Sequence, residues 1–311
     1  MRQVMTIATA GQEFVGTWHF PMHAGPGQAD LAFLFFNAGH LPRDGHAGIT
    51  TRAAEVLAQM GHHALRFDLP GLGDSPGQLP DKTDDLFQMI HDGWFVESAL
   101  ALAGELRRRF EFRRLVLGGL CGAAGTSLLM AEREPDWVAG IIAIEIEFFY
   151  PVPELPLTPM QSLFSRAAWL RLLSGHSRYS HTIGSLGGPV LSAVGPLLLP
   201  SFADRPLCHA FRAAVRRGIP MLVLAAEGKR RATFYDQIKK ALIRGNPPHL
   251  TDHMLAGTNH ILTTGGAQAV ALQHMQAWAV RHFPLRAGAQ LDATPPNVPG
   301  GKLGPALQET G

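Results

Sequence analysis

Short apolar runs recur along this chain with helix-patterned stretches between them, and this alternation constrains the fold more than any other feature. Strands are read at 31–36, 62–67, 114–118, 138–146, 220–226 and 250–255. In several of these runs nearly every position is apolar, the pattern of a strand buried on both faces. Helices are read at 48–60, 83–110, 122–133 and 266–282. In the second, Thr83 is the expected N-cap, Asp84 and Asp85 suit the first turn, and Phe95, Ala99, Leu102 and Leu106 mark the buried face. Strands alternating with helices over this length predict an α/β fold: a mostly parallel sheet with helices on both faces.

The alternation breaks twice. Residues 148–218 lie between two expected strands, and a structureless loop of that length is improbable, so the segment reads as an inserted helical cap. From 285 the chain turns Pro-, Gly- and Ala-rich and reads as a disordered tail at 285–311. The expected organisation is therefore a first core part at 1–147, a cap at 148–218 and a second core part at 219–284. With 46% hydrophobic and 17% charged residues, the chain can bury a sizeable core. A formal charge of +2 and the lack of any long basic run argue against a nucleic-acid partner. Two distant cysteines, Cys121 and Cys208, do not make a disulfide framework. The most apolar internal stretch, 189–202, is broken by Gly195, Pro196 and Pro200, short of the ~20 apolar residues a membrane span needs. No targeting pattern opens the chain, and the expected location is the cytoplasm.

Chemistry concentrates at Leu115-Val-Leu-Gly-Gly-Leu-Cys-Gly-Ala-Ala-Gly125. A strand enters a Gly-x-Cys-x-Ala turn and a helix leaves it. In a nucleophile elbow the reactive residue sits in a strained turn, and the positions two before and two after it must be small. Gly119 and Ala123 hold those positions. Cys121 then begins a helix, whose dipole favours a thiolate, and the N–H of Gly122 is a candidate oxyanion donor. A lone cysteine is otherwise most often a small buried apolar residue. The strand–turn–helix setting favours the nucleophile.

The chain resembles α/β-hydrolases of the serine-aminopeptidase-like group. It looks most like the hydrolases associated with bacterial exosortase systems, some of which carry a Gly-Leu-Cys turn. The resemblance spans about residues 10–282. It rests on Phe36-Asn-Ala-Gly39 with Arg43-Asp-Gly45, on Arg66-Phe-Asp-Leu-Pro-Gly-Leu-Gly-Asp-Ser75, on the Cys121 turn and on Asn259-His260. It implies the α/β-hydrolase fold and an oxyanion loop near Gly39, with His40 and Leu41 as further candidates for the hole. It implies His260 as general base, since the histidine follows the last strand in this fold. The group's usual acid position is taken here by Gly228, next to Glu227. The haloalkane-dehalogenase-like branch can place its acid at the end of the strand read at 138–146, where Glu145 stands. Glu145 is ranked first and Glu227 second, and a Cys–His pair without an acid is the remaining alternative. Asp68, Asp74 and Ser75 read as turn-stabilising residues.

The segment 148–218 carries seven arginines, Arg166 and Arg171 among them, against two acids, Glu154 and Asp204. A greasy, basic lid suits a small-molecule acyl substrate, including a coenzyme A or carrier-protein thioester. An ordinary solvated helix face would look the same. No metal-ligand spacing and no phosphate- or dinucleotide-binding fingerprint is present, so neither metal nor cofactor is expected. The expected activity is hydrolysis of an ester or thioester through acyl-Cys121. Two alternatives stay open: acyl transfer to an alcohol or amine, and a non-catalytic ligand-binding module of the same fold.

Overall fold

The apolar runs become strands because each has two faces to bury. In strand β3 (Leu31–Phe35), Ala32 and Leu34 enter one core while Leu31, Phe33 and Phe35 enter the other. Strand β5 (Arg114–Leu120) sends Leu115 and Leu117 to the first and Val116 to the second. Strands β6 (Val138–Ile144) and β7 (Met221–Ala226) divide their residues the same way. Successive side chains leave a strand on opposite sides, so a run apolar at every position belongs between two helical layers.

The computed structural model describes residues 1–21, 30–37, 39–149, 199, 203–227 and 230–284. Within them, eight strands form one sheet in the order β1-β2-β4-β3-β5-β6-β7-β8, where β1 is Arg2–Thr9, β2 Gln12–His19, β4 His63–Phe67 and β8 Leu250–Leu255. The pairings from β4 through to β8 are parallel, and β1–β2 and β2–β4 are antiparallel. One core lies under helices α1 (Ile49–Gln59) and α7 (Gly265–His282). The other lies under α2 (Thr83–His91), α3 (Val96–Phe110), α4 (Gly122–Arg133), α5 (Arg205–Arg216) and α6 (Arg230–Leu242). The chain leaves β3 towards β4, then returns past β3 to β5. Open α/β sheets place their sites at such a reversal, outside the carboxyl ends of the strands, and Cys121 stands at that end of β5.

Three local readings need correction, and one element was not foreseen. The stretch at 83–110 is not one helix. Gly93 takes φ +76, which a right-handed helix cannot continue through, so α2 and α3 are separate. Thr83 is not the cap: Lys82 holds that position in extended geometry, without a side-chain bond. The β1–β2 hairpin, turning at Ala10 and Gly11, was not expected. Glu145 lies past the end of β6, at φ +53, rather than within the strand. Most of the stretch read as a cap, with Arg166 and Arg171, lies outside the described residues, as does the tail. Its last part is α5, whose Leu207, Phe211 and Val215 belong to the same core as α4.

Two imidazoles tie β2 to β4 as hydrogen-bond acceptors, which requires them neutral. Trp18 Nε1 donates to His63 Nδ1 at 3.2 Å, and Arg66 Nε donates to His19 Nε2 at 3.1 Å. Burial depresses His63 and His62 to about 4, and burial with the neighbouring Arg66 charge depresses His19 to about 3. Between an unfolded value near 6.5 and these folded values, the unfolded chain binds more protons than the folded one, so stability rises with pH across that window. Denaturation midpoints should therefore fall steadily as the pH drops from 6.5 towards 4. Replacing His63 with Gln should flatten that slope, and an unchanged slope would count against His63 as a contributor.

Candidate active site

The elbow is built by sterics. Cys121 sits at φ 57, ψ −116, a conformation that non-glycine residues hold only under constraint, at a cost of about 1–3 kcal/mol. Three backbone bonds supply that constraint. The Cys121 N–H donates to the Ile144 carbonyl at 2.8 Å, and its own carbonyl accepts from Ala124 at 3.0 Å and Gly125 at 3.3 Å. Gly119 must be glycine, because a Cβ there would stand 2.3 Å from the Ala123 Cβ. The departure of Ala123 from glycine is thus tolerated only because Gly119 has no side chain.

The loop that follows β3 is anchored from below. Asp68, fully buried, accepts from Asn37 Nδ2 and from the Arg43 N–H, each at 2.6 Å, and from the Asp74 N–H at 3.0 Å. Arg43 forms an ion pair with Asp68 and Asp74, while Ser75 Oγ bridges the Asp68 carbonyl and the Val15 N–H. Asn37 also donates to the Leu41 carbonyl at 2.9 Å. These bonds carry the chain at 39–45 over the start of α4, where the Gly39 nitrogen lies 3.8 Å from a Cβ built on Gly122. Leu41 is half-buried and His40 is exposed at the rim.

Glu145 and His260 meet from distant parts of the chain. Glu145 is fully buried, its N–H donates to the Leu224 carbonyl at 2.7 Å, and one carboxylate oxygen accepts the Ala226 N–H. Its other oxygen lies 3.6 Å from Nδ1 of His260, a quarter of whose side chain is exposed. Neither of these two atoms has a hydrogen-bond partner among the described residues, so they face each other just beyond bonding distance. Such contacts are often long before substrate binds and tighten in the complex. Glu227 is exposed at the end of β7 and spends its N–H on the Leu255 carbonyl at 2.9 Å. The ring of His46 lies 6.5 Å from that of His260, and burial with the charges of His260 and His40 holds His46 below its ordinary value.

Sequence reasoning missed Glu147 and His91, which share a pocket with Cys121, and Asp204, which pairs with His91. Glu147 has Oε2 3.9 Å from the cysteine Sγ, which donates to it. His91 and Asp204 join at 2.7 Å, both buried. Cys121, Glu147 and His91 line one narrow pocket, with Phe87, Ile90 and Leu207 as its apolar walls. An Asp-Arg-Pro start does signal the N-cap of α5, but no local pattern pairs it with a histidine far upstream. Among the described residues no cluster of His, Cys, Asp and Glu could hold a metal ion, and no helix is long and apolar enough to cross a membrane.

No family profile matches this chain, and no curated protein matches it. Solved structures do. A proline iminopeptidase from Mycobacterium smegmatis is 15% identical, with a TM-score of 0.54 over 89% of this chain and 99% of that one. An alpha-beta serine hydrolase homologue from Coxiella burnetii is 13% identical, with a TM-score of 0.53 over 90% and 97%. A dienelactone hydrolase from Anabaena variabilis is 12% identical, with a TM-score of 0.53 over 91% and 98%. The mostly parallel eight-stranded sheet, the helices on both of its faces and these full-length likenesses together show that the chain has the α/β-hydrolase fold.

Proposed function

We propose that this protein is a hydrolase that cleaves an ester or thioester through an acyl-Cys121 intermediate. The observation that carries the reading is the strained elbow turn that holds Cys121 at the carboxyl end of β5, and the buried carboxylate of Glu145 facing Nδ1 of His260 supports it. Neighbours of the same fold that are named for hydrolytic activity support it. His260 takes the thiol proton, and the thiolate attacks the carbonyl carbon. The amides of Gly122 and Gly39 receive the oxyanion. The alcohol or thiol leaves with the proton from His260, and water then discharges the acyl-cysteine. Glu145 holds the imidazole in one tautomer and stabilises its charged form. The arginine-rich insertion fits a coenzyme A or carrier-protein leaving group.

Intact mass after mixing with a panel of acyl thioesters and activated esters tests this. A mass increment of one acyl group on Cys121 is expected, and no adduct with any of the panel would overturn the reading. The acid assignment has its own test. Glu145→Gln keeps an acceptor for the Ala226 N–H but loses the charge facing His260. Turnover should fall roughly 10²-fold, the lower end of what positioned acid–base groups contribute. Alkylation of Cys121 should stay within a few-fold of wild type, and Glu227→Gln should change little. Wild-type turnover in both variants would leave a Cys–His pair working without an acid.

A further inference from the structure

Three parts of the chain meet at one buried amide that the acylation chemistry does not touch. Gln268, in the first turn of α7, is 1% exposed. Its Oε1 accepts from Arg52 of α1 at 2.6 Å. Its Nε2 donates to the Leu262 carbonyl at 2.9 Å and, in a longer contact of 3.5 Å, to the Ala47 carbonyl. A guanidinium can only donate and a carbonyl can only accept, so chemistry fixes which way the amide points. Both carbonyls belong to non-glycine residues in the left-handed region, Leu262 at φ +49 and Ala47 at φ +47. Such conformations persist only where surrounding structure over-determines them. At Leu262 the constraint comes from every side: its N–H donates to the Asn259 carbonyl at 3.0 Å, its carbonyl takes the amide, and its side chain is fully buried. His260 lies inside that turn, and His46 directly precedes Ala47, with the two rings 6.5 Å apart. Capping α7 does not require Gln268, since Thr264 already accepts the Ala267 N–H at 3.3 Å.

We propose that Gln268, oriented by Arg52, is a positioning residue for His260. In the acyl-Cys121 reading, on which this rests, His260 is the base. Glu145 faces Nδ1 and governs the rotation of the ring, whereas Gln268 fixes the backbone from which the ring projects. Glu145 and Nδ1 stand 3.6 Å apart, so a shift of the turn by a fraction of that distance decides whether they bond. The turn lies between β8 and α7, outside regular structure, and side chains hold it in place. Asn259 closes it locally, with Nδ2 on Thr263 Oγ1 at 3.1 Å, and Gln268 ties it to α1 and to the loop of His46. A residue acting in this way touches neither substrate nor sulfur, and its loss is felt in the rate of the step rather than in binding.

Gln268→Met keeps the length of the side chain and removes all three bonds. In rapid mixing with a chromogenic acyl thioester, its acylation rate at saturation should fall between about 10- and 10²-fold, a misplacement of ~1 Å being worth the larger figure. The half-saturating thioester concentration should stay near wild type, and so should alkylation of Cys121 by iodoacetamide. The same substitution is then made in a His260→Ala background, with an activated thioester to keep the residual rate measurable. With the base gone, Gln268→Met should cost nothing further, because residues that act through one group do not add. Arg52→Ala frees the amide to turn and should give a smaller loss of the same kind. It carries the test if Gln268→Met melts below assay temperature. A lowered melting temperature with wild-type acylation in the folded protein would overturn the proposal and leave Gln268 a structural residue. A full additive loss in the His260→Ala background would overturn it as well. Both outcomes leave the acyl-Cys121 reading standing, whereas an adduct-free wild-type protein overturns the two together.

Discussion

Cys121→Ala should leave no covalent adduct with any acyl donor that acylates the wild-type protein, and turnover should fall by on the order of 10⁴-fold or more, the scale on which losing a nucleophile acts. The second cysteine does not compensate. Cys208 is 2% exposed on α5, and burial together with the Asp204 charge pushes its thiol up to about 12. It remains protonated and enclosed where Cys121 reacts, so a limiting alkylating reagent should label Cys121 alone, as peptide mapping would report. Cys121→Ser is the finer probe. The elbow holds its residue through backbone bonds and through the small neighbours Gly119 and Ala123, none of which depends on sulfur. The variant should therefore fold with an unchanged melting temperature. A hydroxyl needs more help than a thiol, so its residual activity should depend more steeply on Glu145 than that of the cysteine enzyme. Full turnover in Cys121→Ala on every wild-type substrate would reduce the cysteine to a packing residue.

The largest effect on stability is expected at Asp68. Its carboxylate, fully buried, pairs with a guanidinium that is 12% exposed and accepts from Asn37 and two backbone amides. Asp68→Ala would leave those donors facing a void, and breaking a buried pair from one side costs about 3–5 kcal/mol. Urea denaturation would read this as a lower midpoint. Asp68→Asn, which keeps an acceptor oxygen, should lose less. The effect also reaches the site, because the same bonds hold the loop at 39–45 that brings Gly39 to Gly122. Acylation should therefore slow even under conditions where Asp68→Ala remains folded. A change below about 1 kcal/mol, within the range of an exposed pair, would show that the cluster is dispensable.

Much of this architecture was legible in local pattern. Runs such as 31–36 can satisfy two cores only as inner strands, and six of the strands fall where their apolar residues predict. The elbow was legible for the same reason, since a strained turn between strand and helix demands small neighbours at fixed spacing, and Gly119 and Ala123 supply them. The β1–β2 hairpin escaped because its strands lie at the sheet margin, where β1 is largely exposed and few residues need be apolar. The break at Gly93 escaped because apolar spacing of helical period continues on either side of it.

What could not be read is which distant groups meet. The ranking of Glu145 over Glu227 rested on its place near the carboxyl end of a strand and on a resemblance. The contact between Glu145 and His260 exists because β6, β7 and β8 are neighbours in the sheet and bring their carboxyl ends together. His91 and Asp204 meet for a similar reason, since α2 and α5 both pack on α4 and each ends at the pocket. Periodicity and turn chemistry are properties of a few consecutive residues, so they can be read along the chain. A catalytic pair depends on strand order and helix packing, which are set by burying apolar faces across the whole molecule.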